Sequence, residues 1–155
     1  HFFGREDEQR ALTKLIETRS GFITVLGPPG TGKTRLTKHW AAEHLSSGAV
    51  TSAWFCDLTE ARSEEGVIQA VATHLGVSLT TKKDGVEALA SLVEDAIKAL
   101  GSTVIVVDNA EQVIEWAGPL VAGWWKGDAG RPYPGDHWIT NRECAFYHGA
   151  KYPQL

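Results

Sequence analysis

The chain has 155 residues, with 22% charged and 43% hydrophobic side chains and a formal net charge of −4. That balance suits one globular domain able to bury a core. It excludes a disordered segment and gives no global sign of nucleic-acid binding. Two cysteines make no disulfide framework, and no apolar run reaches membrane-spanning length, so a soluble, cytoplasmic setting is expected.

The N-terminal stretch Phe2-Phe3-Gly4-Arg5-Glu6 leads into an acidic, helix-compatible segment. Leu12, Leu15 and Ile16 give that segment an apolar face up to about Thr18. Two readings of the lead-in stand: a glycine-interrupted approach to a first helix, or a loop lining the adenine side of a nucleotide.

The next stretch carries the strongest chemical signal. Gly27-Pro28-Pro29-Gly30-Thr31-Gly32-Lys33-Thr34 fits the phosphate-binding pattern G-x-x-x-x-G-K-[ST]. A short apolar run, Gly21 to Leu26, precedes it and reads as a buried strand. Arg35 to Leu45 follows without Gly or Pro, with Leu36, Trp40, Ala41 and Leu45 at helical spacing. Strand, glycine loop and helix together aim backbone N–H groups and a helix N-terminus at an anion. In this frame Gly30 and Gly32 let the backbone curl, Lys33 supplies a mobile charge for the β- and γ-phosphates, and the Thr34 hydroxyl faces Mg²⁺. Pro28 and Pro29 stiffen the start of the loop, and Pro29, Thr31 and Arg35 complete the predicted phosphate-binding set.

Ser46-Ser47-Gly48 stops that helix, and Ala49 to Leu58 reads as a second strand. It ends in Asp57, Thr59 and Glu60, a polar exit at the edge where open α/β sheets gather ligands. Asp57 is either a loop cap or a neighbour of the site. Glu64 to Leu75 is a helix with Val67, Ile68, Val71, Ala72 and Leu75 on one face. Thr80 to Asp84 is a polar connector. Val86, Leu89, Ala90, Val93, Ile97 and Leu100 mark a further helix, stopped by Gly101.

Thr103-Val104-Ile105-Val106-Val107-Asp108-Asn109 is an unbroken apolar run that delivers an acid. Such runs suit a central parallel strand buried on both faces. Asp108 at its end suits a Walker B element that holds Mg²⁺. Efficient ATPases often carry Glu at the following position, where this chain has Asn109, with Glu111 two residues on. Asn cannot accept a proton, so slow hydrolysis is expected. Glu111 either substitutes or favours the dipole of the next helix.

Ala110 to about Trp125 reads as helical, with Val113, Trp116, Ala117, Leu120, Val121 and Trp124 on one face and a kink or break expected at Gly118-Pro119. Among the six Trp, Trp40, Trp116 and Trp124 are expected in the core. Lys126 to Gly135 is a loop by composition. A short strand is expected at Trp138-Ile139-Thr140, with Asn141 and Arg142 following at its carboxyl end. On chemistry alone, Arg142 is either a solvated charge or a γ-phosphate contact. His137, Cys144 and His148 do not make a zinc motif, and His39 with Glu43 reads as a surface pair.

The ordered set FxGRE, GPPGTGKT, WFCDL, VIVVDNAEQV and ITNRE resembles the STAND class of P-loop ATPases. It is most similar to the AfsR and large LuxR-type bacterial regulators and to NB-ARC domains. The resemblance implies a three-layer α/β fold with a parallel sheet spanning residues 1–155, incomplete at its C-terminus, with the strand of residues 138–140 between the P-loop and Walker B strands. It implies that Phe3, Gly4 and Arg5 line the adenine and ribose side and that Gly30 to Thr34 hold phosphates. It further implies that Thr34 and Asp108 hold Mg²⁺ and that Arg142 reports the γ-phosphate, with Asn141 where the family has Ser. The catalytic candidates are thus Lys33, Asp108, Asn109, Glu111 and Arg142.

The implied function is an ATP/ADP–Mg²⁺ switch module of a signalling or transcriptional regulator, partnered by other domains, capable of nucleotide-dependent self-association, and without direct nucleic-acid or membrane contact. An ATP-driven remodelling or loading ATPase and a nucleotide-independent interaction module are the alternatives. A chain without any Met is expected to be a piece of a longer protein or a processed product.

Overall fold

The computed structural model describes residues 4–18, 22–79, 85–126 and 137–143. The elements alternate. Helix α1 (Glu6–Thr18) precedes strand β1 (Phe22–Gly27), helix α2 (Lys33–Ser46) and strand β2 (Ser52–Asp57). Helices α3 (Glu64–His74) and α4 (Val86–Ala99) then lead to strand β3 (Thr103–Asp108). A single 3-10 turn at Glu111–Val113, helix α5 (Ile114–Lys126) and strand β4 (His137–Glu143) complete the described chain.

The strands form one four-stranded sheet in the order β1-β4-β3-β2, all pairs parallel. The expected strand order holds: β4 lies between the P-loop strand and β3. Every residue of β3 is buried, as its continuous β-branched run requires of a strand covered on both faces. Side chains alternate along it. Ile105 and Val107 pack with Val71, Val93, Ile97, Val121 and Trp124 beneath α3, α4 and α5. Val104 and Val106 pack with Leu12, Ile23, Val25, Leu36 and Trp40 on the opposite face, beneath α1 and α2. The period-2 alternation of a strand thereby builds two cores and a helix–sheet–helix sandwich.

Trp40 ties α2 to α1: its indole N–H donates to Thr13 Oγ1 at 2.9 Å, and Thr13 Oγ1 donates to the Gln9 carbonyl. On the other face the Trp124 indole N–H donates to the Ala90 carbonyl at 3.0 Å and locks α5 onto α4. Both rings are 2% exposed or less, and a buried indole N–H of this kind needs an acceptor.

Several boundaries differ from the sequence expectation. The P-loop helix begins at Lys33, two residues before Arg35, so Lys33 and Thr34 form its first turn. Strand β2 begins at Ser52, because its ladder with β3 runs only over Ser52–Asp57 and Thr103–Asp108. The helix expected from Ala110 starts with a 3-10 turn, and α5 then runs unbroken through Pro119. Gly118, preceding Pro119, has no Cβ for the proline ring to strike, which removes one of the obstacles to helical geometry there, while the missing N–H and the crowding of the carbonyl four residues back remain.

Trp116 leaves the predicted core: it is 37% exposed, on the side of α5 away from Ala117 and Val121. Leu45, assigned to the apolar face of α2, is likewise exposed. Strand β4 is longer than Trp138–Thr140. Asn141 and Arg142 lie within it and not beyond it, because β1 continues the ladder to Gly27 after the pairing with β3 has ended at Thr140. No helix of the described residues is long and apolar enough to cross a membrane.

The strand that carries both cores should be the most sensitive element. Replacing Ile105, fully buried, by Ala is expected to lower unfolding stability by about 2–5 kcal/mol in a urea titration.

Candidate functional site

All four strands point their carboxyl ends the same way, so the loops after β1, β2 and β3 meet at one edge. The loop after β1 runs from Gly27 to Gly32. Gly30 and Gly32 hold φ at +77° and +81°, conformations that an L side chain adopts only with strain. A Cβ at Gly27 would stand 3.2 Å from Thr31 Oγ1. The loop is braced internally, since the Thr31 hydroxyl donates to the Pro28 carbonyl at 2.8 Å. Gly32 caps α2 in the left-handed conformation without a side-chain acceptor. The first-turn N–H groups of α2 therefore face the loop with no side chain competing for them.

The Lys33 ammonium lies over the loop and donates to the Gly27 carbonyl at 2.8 Å and the Pro28 carbonyl at 3.0 Å. Next to it, the Thr34 hydroxyl donates to Asp108 Oδ2 at 2.7 Å. Asp108 is only 4% exposed. A hydroxyl and a carboxylate at the mouth of a glycine loop are hard oxygen donors, the ligand chemistry that suits Mg²⁺. Arg35 sits exposed in the same first turn.

The N-terminal segment reaches this loop. The Arg5 guanidinium donates to the Thr31 carbonyl and lies 3.9 Å from the Glu8 carboxylate. Gly4 has φ +87°. Residue 5 is thus beside the P-loop. Phe3 lies outside the described residues.

At the end of β3 the chain turns sharply. Asn109 has φ +55°, the left-handed conformation that Asn tolerates better than most residues. Its amide donates to Asp57 Oδ1 at 2.8 Å and to Thr59 Oγ1 at 2.9 Å. The Thr59 N–H and hydroxyl donate to the same Asp57 oxygen, at 2.9 and 2.6 Å. Gln112 then donates to the carbonyls of Leu58 and Thr59, and the Asp57 N–H donates to His74 Nε2 at 3.3 Å. Asp57 is therefore both a loop cap and a neighbour of the site, directly across the ladder from Asp108.

Thr59 and Gln112 are the members that sequence reasoning did not assign. Their signal was only a polar exit from β2 and an amide one turn after β3. Glu111 opens the 3-10 turn, and no hydrogen bond among the described residues ties it to Thr34 or Asp108. Arg142 stands opposite Leu26 in the β4–β1 ladder, one position before Gly27; its side chain, like that of Asn141, lies outside the described residues. His39 and Glu43 form the expected surface pair at 3.4 Å. Cys56 is fully buried, and burial pushes its thiol up to about 12, so it offers no thiolate at neutral pH.

Burial is the largest single influence on the Asp57 carboxyl and pushes it up. The bonds from Thr59 and Asn109, with nearby His74, together outweigh it and hold the group below its ordinary value. A carboxylate lowered on folding stabilises the fold above its unfolded pKa, and that contribution disappears as pH falls through the folded pKa. The stability difference between the wild type and Asp57→Asn is therefore expected to be constant above about pH 5 and to shrink as pH falls below the unfolded value of about 3.9 and through the lower folded one, in paired urea titrations.

A family model for the AAA ATPase domain matches residues 1–122. No curated protein matches the chain. Among solved structures it is similar to the ORC1 protein of Aeropyrum pernix in complex with DNA, at 18% identity and a TM-score of 0.69, covering 93% of this chain and 40% of that one. It is similar to the ORC2 protein of the same organism, in ADPNP–ADP complexes, at 13% identity and a TM-score of 0.67, covering 92% and 42%. Cdc6p of Pyrobaculum aerophilum is similar at 16% identity and a TM-score of 0.61, covering 91% and 39%. At these identities the likeness is one of fold, and the chain spans about two fifths of the length of each structure.

Proposed function

Because this chain belongs to the AAA ATPase domain family, we propose that it binds ATP or ADP with Mg²⁺ and acts as a slowly hydrolysing nucleotide switch within a signalling or transcriptional regulator. The observation that carries this reading is the 2.7 Å bond between Thr34 and Asp108. It brings the end of the glycine loop and the end of the central strand to one point, as a shared metal–phosphate site requires.

In this reading Pro29, Gly30, Thr31, Gly32 and Lys33 surround the phosphates. The N–H groups of the loop and of the first turn of α2 bind phosphate oxygens, and the Lys33 ammonium leaves the Gly27 and Pro28 carbonyls for the β- and γ-phosphates. Arg35 adds positive charge at the rim. Thr34 and Asp108 hold Mg²⁺, which when bound neutralises charge on the phosphate oxygens. Phe3, Gly4 and Arg5 flank the adenine and ribose, and the contact of Arg5 with the Thr31 carbonyl supports that role. Arg142 serves as the γ-phosphate sensor, and the strand register that runs it alongside Leu26 supports that role.

Hydrolysis needs a water oxygen to bond to the γ-phosphorus while the bond from that phosphorus to the ADP oxygen breaks. The water proton must go to an acceptor. Asn109 is an amide and takes no proton, and Glu111 is the first carboxylate after it in sequence. Turnover well below ~1 s⁻¹, slow on the ordinary enzyme scale, follows from this composition. The STAND-type assignment rests on the motif order, and the departure at residue 109 favours a switch over a motor. The family itself keeps a second reading open, an ATP-driven remodelling or loading ATPase, which turnover well above that rate would favour.

Lys33→Ala is expected to weaken ATP binding tenfold or more in a calorimetric titration, since a charge-assisted bond contributes about 1.5–3 kcal/mol. Unchanged affinity would remove the phosphate site from this loop. Asp108→Ala is expected to abolish the Mg²⁺ dependence of binding, measured in the same titration with and without the cation; a dependence that persists would move the metal elsewhere.

A further inference from the structure

Helix α5 contains residues that a helix interior ordinarily avoids. Gly118, Pro119 and Gly123 all lie within it, and glycine and proline are the poorest helix formers. Gly118 has a local reason, the proline that follows it. Gly123 has none within the fold, because a Cβ there would meet no atom of the described residues within 4 Å. Trp116, Pro119, Leu120 and Gly123 fall at i, i+3, i+4 and i+7, one stripe along the helix. Trp116, a large apolar ring, stands exposed in that stripe.

Leu120 and Gly123 form one wall of a groove of about 420 Å³, and Ala90 and Glu94 of α4 form another. Glu64 of α3 and Trp124 also line it. The bond from the Trp124 indole to the Ala90 carbonyl ties α5 to α4, so the groove is preformed. Trp116 extends its apolar wall by one turn. The charge around the groove is one-sided. Helices α3, α4 and α5 with the 3-10 turn carry seven carboxylates and two ammonium groups, a net charge of −5 with His74 neutral. The whole chain carries −4, so the other segments together are close to neutral. Glu94 is shared with Lys98 at 3.0 Å.

We propose that the α4–α5 groove receives a basic amphipathic helix of a partner protein. The apolar side of that helix lies against Trp116 and Leu120 and approaches the α5 backbone closely at Gly123, and its Lys or Arg side chains meet Glu64 and Glu94. The charge selects this occupant, since a nucleic acid or an anionic membrane would be repelled. A second copy of the chain offers no such helix among the described residues. Helix α1 opens with Glu6, Asp7 and Glu8. Helix α2 carries Lys33, Arg35 and Lys38, but its Leu36, Trp40 and Ala41 are buried in the core. The inference stands apart from the nucleotide reading, because no residue of the glycine loop lines the groove.

The experiment titrates the chain calorimetrically, at physiological ionic strength, with three synthetic peptides of about four helical turns each. One sets Leu among Lys and Ala at helical spacing, the second scrambles the same composition, and the third replaces Lys by Glu. The groove predicts that the basic amphipathic peptide binds at least about tenfold more tightly than the scrambled one, and that the acidic peptide does not bind. Gly123→Leu fills the groove. It is expected to weaken the basic amphipathic peptide at least about tenfold, with a thermal midpoint no lower than that of the wild type, since leucine is the better helix former. Trp116→Ala is expected to weaken it at least about tenfold, and Glu64→Lys at least about threefold. Unchanged affinity in a folded Gly123→Leu variant, or equal affinity for the scrambled peptide, overturns the proposal, as does no binding of the basic amphipathic peptide at millimolar concentration. Self-association of the chain in sedimentation, lost in Gly123→Leu, gives the face to a second copy and overturns the assigned partner. If Gly123→Leu does not fold, unchanged affinity in Trp116→Ala overturns the proposal.

Discussion

One part-buried contact organises this molecule: the hydroxyl of Thr34 reaching the carboxylate of Asp108. The two residues arrive from different strands and different loops, and their meeting requires the whole parallel sheet to be in register. β4 must separate β1 from β3, and α2 must begin at Lys33 so that Thr34 falls in its first turn. Asp108 must end a strand whose every residue is buried. Burying a carboxylate there is unfavourable unless hydrogen bonds compensate it. The Thr34 hydroxyl supplies one such bond.

The two cores serve that requirement in different ways. Beneath α1 and α2 the small cluster around Trp40 carries the glycine loop and its helix. Beneath α3, α4 and α5 the larger cluster, closed by the Trp124–Ala90 bond, holds the far face of the sheet. The β2 end belongs to neither core fully: Asp57, Thr59 and Glu60 are exposed, and Asp57 and Thr59 are ordered by bonds with the side chains of Asn109, Gln112 and His74. Polar networks at an exposed edge have lower local stability than buried strands. The chain thus places a stiff phosphate loop on one side of Asp108 and a polar, more easily opened loop on the other.

How much of this was legible depended on whether the signal was local. The glycine loop was readable because its spacing answers to a single local demand, backbone N–H groups around an anion. β3 was readable because a strand covered on both faces must be apolar throughout. Trp116 was misplaced because helical spacing defines a face but not its width, and the face of α5 that meets the sheet is carried by Ala117, Val121 and Trp124. A kink or break was expected at Gly118-Pro119 because proline lacks an N–H and crowds the carbonyl four residues back, and α5 nevertheless continues through Pro119 to Lys126. Asn141 and Arg142 were placed beyond their strand because the length of β4 is set by β1, a partner remote in sequence. The bonds of Asn109 to Asp57 and Thr59 were illegible for the same reason, since they join residues 52 and 50 positions apart.

The central claim is that the glycine loop and Asp108 form one nucleotide–metal site. Thermal unfolding of the chain at increasing concentrations of ADP, with Mg²⁺ and without it, tests that most directly. A ligand that binds only the folded state stabilises by about 2.7 kcal/mol at a hundredfold excess over its dissociation constant. The account predicts a midpoint that climbs steadily with ADP, and climbs further when Mg²⁺ is present. A midpoint indifferent to millimolar ADP, in a chain that unfolds cooperatively, would contradict it.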